Sequence, residues 1–293
     1  MNSASQRTLG FVVLVLAVVA VSWGTIQSLI AYASDWDNTN ASQVLVIPFI
    51  TGALIYWRRD TVFSRVRYAV VPGALVLIAG AALQFFVRTA NFNLTKGDQL
   101  ALSVLPVLIL LWGGFLLFFG TDAFKGALFP LAFLVFCMPI PSPVMDRTIY
   151  FLQHASAEVS YVLLKLTGMP IYKEDTSFVL PNLIVEVAPQ CSGIRSGISL
   201  LILCVLAGDV ILNTWPRRIA LVLAAIPILI FKNALRIGTL SFLAVHVDQR
   251  ILTSRLHQEG GIPFFVVGLL LMYPILRLLT QSEYRSSNPA RHT

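Results

Sequence analysis

Three residues that could do chemistry stand far apart in the chain, two where an apolar run meets a polar one and one toward the end of an apolar run. Cys191 lies in Pro189-Gln190-Cys191-Ser192-Gly193-Ile194-Arg195-Ser196-Gly197, just before the run Ile198 to Leu212. Arg236 closes the segment Asn233-Ala234-Leu235-Arg236, and His257 precedes Gly260-Gly261 and the last apolar run. Ionisable groups at such positions are costly in lipid and read as functional. A cysteine at a helix start, beside an arginine, is expected to ionise readily and act as a nucleophile. A histidine supplies a general base, or an acid for a leaving amine. The N–H groups of Ser192 and Gly193 suit an oxyanion, because glycine lets the backbone approach closely.

Each of these residues also has a plainer reading. A cysteine in a membrane helix is often a small packing residue, which is how Cys137 and Cys204 are read. Arg236 could reach along its stem to the interface, although Asn233 on the same face favours a polar site. Arg195, one turn beyond Cys191, suits either a backbone contact or a substrate contact. His246, Asp248, His257 and Glu259 cluster in sequence but match no metal-ligand spacing, so neither metal nor cofactor is expected. The three cysteines lack the spacing of a disulfide framework.

These groups must be positioned by membrane helices. Hydrophobic residues make up 57% of the 293-residue chain and charged residues 12%, about half the charged share of a soluble domain. Mean hydropathy is +0.78. The net charge of +7 falls in short loops between apolar runs, which argues for orientation in a membrane and against nucleic acid as a partner. The expected fold is an all-α polytopic membrane protein of a single integral domain, residues 1–293. About eight transmembrane helices are expected, near 9–30, 44–57, 69–87, 100–119, 127–140, 194–212, 219–244 and 262–279, the first of them uncleaved.

Residues 144–190 interrupt the series. Residues 144–168 mix charges with apolar residues at helical spacing, as an interfacial amphipathic helix does. Over residues 171–187 the period changes, and Phe178-Val179-Leu180, Pro181-Asn182 and Leu183-Ile184-Val185-Glu186-Val187 read as a short β-hairpin. A catalytic core over 189–262 and a polar tail over 280–293 complete the layout. Eleven basic residues, among them Arg58, Arg59, Arg65, Arg67, Arg217, Arg218 and Arg285, fall on one side of this arrangement; seven (Arg88, Lys96, Arg147, Lys165, Lys173, Arg250 and Arg255) fall on the other over more residues, where acidic residues such as Asp35, Asp37, Asp98, Glu158, Glu186 and Asp248 gather. The positive-inside rule then puts both termini inside and Cys191, Arg236 and His257 at the outer face.

Cys191-Ser192-Gly193-Ile194-Arg195-Ser196, then Asn233-Ala234-Leu235-Arg236-Ile237, then His257 before Gly260-Gly261, resemble the exosortase/archaeosortase family. The likeness extends to the span layout and the polar segment before the cysteine, and His257 favours the bacterial branch. The resemblance implies a membrane cysteine transpeptidase in the bacterial inner membrane with its site on the periplasmic face. It implies Cys191 as nucleophile through an acyl-thioester, Arg236 as stabiliser and His257 as acid/base; Arg195 and Asn233 are supporting contacts on the residue reading alone. The implied partners are exported, membrane-anchored proteins carrying a C-terminal sorting signal: a PEP-like motif, a membrane helix and a basic tail. Whether the acceptor is water, a glycan or a lipid is left open by the sequence, and membrane lipids are a further expected partner. The rival readings are a transporter or polysaccharide-export component, suggested by Pro227 within span seven, and a membrane acyltransferase.

Overall fold

In the computed structural model the described residues are 3–34, 42–90, 92–181, 183–250 and 261–287. The apolar runs form helices, since in lipid only internal hydrogen bonding satisfies the backbone. Two compact units divide the chain, Met1–Val144 and Met145–Thr293.

The first unit holds α1 (Ser3–Val21), α2 (Trp23–Ser34), α3 (Ile47–Trp57), α4 (Arg59–Val62), α5 (Val70–Thr89), α6 (Lys96–Gly126) and α7 (Leu128–Phe133). Its tightest pairing is α5 on α6. A Cβ added at Gly73 would lie 2.5 Å from the Leu117 Cα, so a glycine is what lets the two backbones approach. A core of Val62, Phe115, Phe119, Ala123, Ala127 and Leu131 is flanked by Phe11 and Phe63.

The second unit holds α8 (Ser142–Leu166, whose first turn lies in the first unit), three strands, α9 (Ile194–Ile211), α10 (Trp215–His246) and α11 (Gly261–Ser287). The strands β1 (Tyr172–Glu174), β2 (Ser177–Leu180) and β3 (Leu183–Glu186) form one antiparallel sheet in the order β1-β2-β3. Strands β2 and β3 lie where the sequence pattern places a hairpin, and β1 adds a strand the pattern does not announce. Asp175 makes the β1–β2 turn at φ 51°, a left-handed value that Asp tolerates better than most residues. Phe178 and Leu180 point inward against Ala157, Leu164, Val187 and Ile237. The other core packs α9, α10 and α11 around Leu200, Cys204, Leu221, Ala225 and Met272.

Five of the described helices have the length and apolar character to cross a bilayer, and seven spans result if each of two bent pairs counts as one. Eight spans were expected. The second expected span is the 11-residue α3, roughly 16 Å long and too short for a hydrocarbon layer of about 30 Å. The first is bent by 72° between α1 and α2. The fifth is six residues of α7 followed by a 3-10 turn, Leu134–Cys137, ahead of Pro139 and Pro141, which cannot continue a helix.

Candidate active site

The turn that carries Cys191 is built by its own sequence. Ala188 is extended, and Pro189 opens a 3-10 turn, Pro189–Ser192, where its fixed φ suits a first helical position. The Cys191 N–H donates to the Ala188 carbonyl at 2.8 Å. Gly193 ends the turn and caps α9 at φ 75°, ψ 12°. That left-handed value favours glycine, and space demands it too, because a Cβ here would lie 2.7 Å from the Asn233 Oδ1. The Gly193 carbonyl then accepts the Gly197 N–H at 2.9 Å and the Ser196 hydroxyl at 3.1 Å.

Helix α10 supplies the other side. Asn233 is buried, and its Nδ2 donates to the Cys191 carbonyl at 2.8 Å. Arg236, half-buried and three residues on, lies close enough for its charge to act on the Cys191 thiol. Lys232, immediately before Asn233, donates to the Ser196 hydroxyl. Helix α8 braces both parts. Its Ser160 hydroxyl shares its proton between the Ser156 carbonyl at 2.6 Å and the Ala234 carbonyl at 3.2 Å, and its Gln153 amide donates to the Val187 carbonyl at 2.5 Å, four residues before the cysteine.

The cysteine's ionisation departs from the expectation of a readily formed thiolate. Burial pushes the Cys191 thiol up from its ordinary value, and the Arg236 guanidinium and a backbone hydrogen bond with Ala188 pull it back only in part. The cause is packing. Cys191 rests against the core of Ala157, Leu164, Phe178 and Val187, so the thiolate would lose water that one guanidinium does not replace. The resting thiol is therefore held neutral.

The structure brings Cys191, Ser192, Gly193, Asn233 and Arg236 together. Ser192 is buried, and its hydroxyl has no partner among the described residues. Arg195 is exposed on the first turn of α9. His257 lies outside the described residues, as does Glu259. Among the described residues no three metal-ligating side chains cluster. Three supporting contacts escaped the sequence reading: Gln153, Ser160 and the pairing of Lys232 with Ser196. Lys232 carries a signal in the sequence, a charge inside the apolar run 219–244; the two α8 residues carry none.

At the far end of α9 the chemistry is different. Arg218 pairs with Asp209 at 2.7 Å. Glu283 accepts from the Asn213 and Thr214 N–H groups and pairs with Arg217 at 3.4 Å. The 18-residue α9 separates this arginine-rich end from the cysteine by roughly 27 Å.

A multi-pass helical membrane protein with a cysteine turn tied to an asparagine–arginine helix is the class that fold and site define. The family model described as transmembrane exosortase matches residues 36–274, and the chain belongs to that family. No curated protein and no solved structure gave a match.

Proposed function

We propose that this exosortase-family protein is a cysteine peptidase/transpeptidase that cleaves the C-terminal sorting signal of exported proteins at the outer face of the bacterial inner membrane. The observation that carries the reading is the bond from Asn233 to the Cys191 carbonyl, with Arg236 bearing on the same thiol. A packing cysteine needs neither. The arginine-rich end of α9 lies about one bilayer core away, which by the positive-inside rule favours an outward cysteine.

The substrate's own membrane helix holds its cleavage motif at the interface, so the bilayer supplies positioning that a soluble protease obtains from a groove. His257 takes the proton from Sγ as the sulfur attacks the scissile carbonyl. This step is needed because burial keeps the resting thiol neutral. The N–H groups of Ser192 and Gly193, with the Arg236 guanidinium, stabilise the oxyanion. Collapse breaks the C–N bond. The leaving amine takes the proton from His257 and departs with the membrane helix and basic tail, leaving an acyl-thioester on Cys191. Water, or an acceptor nucleophile from a glycan or lipid, then attacks the thioester, gives up its proton and regenerates the thiol.

The transporter reading rested on a break at Pro227. Helix α10 runs from Trp215 to His246 with Pro227 inside it, so the proline does not end the span, while Lys232 and Arg236 beyond it are accounted for by the cysteine turn. The test is a Cys191→Ala variant expressed with a reporter bearing a PEP-like motif, a membrane helix and a basic tail. Uncleaved reporter should accumulate in the membrane. Processing at the normal rate would overturn the reading.

A further inference from the structure

The least explained charge in the second unit is Lys232. It is 2% exposed in the middle of a helix fit to cross a bilayer. Gly268 of α11 lies against its stem, such that a Cβ there would come 3.3 Å from the Lys232 Cδ. Among the described residues it has no carboxylate partner, and its ammonium meets the Ser196 hydroxyl. A buried charge so arranged does not serve stability, since an apolar side chain of similar volume would hold the fold as well or better. A role other than stability follows, and a path of hydrogen bonds leads from it. The ammonium donates to Ser196 Oγ. Ser196 Oγ donates to the Gly193 carbonyl. Gly193 is the left-handed residue that closes the cysteine turn. Asn233, next to Lys232, holds the Cys191 carbonyl at the other end of the same turn.

We infer that Lys232 is a positioning residue which, through Ser196, fixes the Gly193 carbonyl and with it the Cys191–Gly193 turn. Adjacent residues of α10 then clamp the turn at both ends, Asn233 at the Cys191 carbonyl and Lys232 at the Gly193 carbonyl. The relay aims the Ser192 and Gly193 N–H groups and the thiol without touching substrate. Its catalytic consequence rests on the peptidase reading above; the clamp itself does not.

A double-mutant cycle tests it on the full-length protein in lipid nanodiscs. The first readout is the rate of Cys191 alkylation by iodoacetamide, followed by peptide mass spectrometry with no substrate present. The second is kcat and KM for reporter cleavage. Lys232→Met and Ser196→Ala should each slow alkylation by about tenfold, and the double variant should fall within about threefold of the slower single one, the non-additivity of residues acting as a unit. Ser196→Thr, which keeps the hydroxyl, should restore the rate. In cleavage, kcat should fall and KM stay unchanged. Thermal melting of Lys232→Met should equal or exceed that of the parent, which separates positioning from unfolding. Additive losses, an unchanged alkylation rate in Lys232→Met, or labelling of Ser196 by a fluorophosphonate, which would make it a nucleophile, would each overturn the relay. If the alkylation cycle behaves as stated while the parent cleaves no reporter, the peptidase reading fails and the relay stands.

Discussion

At the residue scale the cysteine is under opposed influences, and their order decides its behaviour. Burial raises the thiol; Arg236 and the Ala188 contact lower it by less. The sign follows directly. Removing the guanidinium leaves burial less opposed, so in Arg236→Met the pH midpoint of Cys191 alkylation should move higher still. Arg236→Lys keeps the charge and should hold the midpoint near the parent value, yet lose reporter cleavage if the planar fork is needed at the oxyanion. A midpoint unmoved in Arg236→Met, followed by stopped-flow alkylation, would remove the arginine from the site. The identities of Cys191, Asn233 and Arg236 were legible because polar residues stand out against an apolar run. The direction of the thiol's shift was not. It depends on Phe178, Leu164 and Val187, which reach the cysteine only through the tertiary fold.

At the scale of elements, the site is a turn pinned between two helices, so small residues at the seam matter most. Gly193 faces two penalties on substitution. Its left-handed backbone costs a residue with a Cβ about 1–2 kcal/mol, and that Cβ would strike the Asn233 side chain. Gly193→Ala should lower the melting temperature and slow Cys191 alkylation together, because the asparagine cannot keep its bond to the Cys191 carbonyl while making room. Melting and alkylation unaffected by the substitution would refute the clamp geometry. The helix over 144–168 was readable from its periodicity, since apolar residues recur every three or four positions. Its use as a brace was not, because Ser160 and Gln153 look like ordinary polar residues until α10 and the strand end are seen beside them. The third strand was hidden for a similar reason. Tyr172-Lys173-Glu174 has too few apolar residues to show a period of two, and pairing with β2 forms it.

At the scale of the whole molecule, the membrane class followed from composition alone, and the span count did not, because hydropathy measures a run without seeing where it bends. The first run looks continuous and is broken between α1 and α2; the fifth ends early at its prolines. Orientation rests on charge, and the second unit carries that argument by itself. Arg217 and Arg218 gather at one end of α9 and the cysteine turn opens at the other. Short basic turns stay on the cytoplasmic side, so Cys191 should face outward. Cys204 provides an internal control, because it is buried in the α9–α11 core. In intact spheroplasts a membrane-impermeant maleimide should modify Cys191 and leave Cys204 untouched, and prior blocking from outside should abolish later labelling after lysis. Labelling of Cys191 only in inverted vesicles would turn the unit over. The thiol would then meet newly made cytoplasmic chains, and cleavage of exported proteins at the outer face would have to be abandoned.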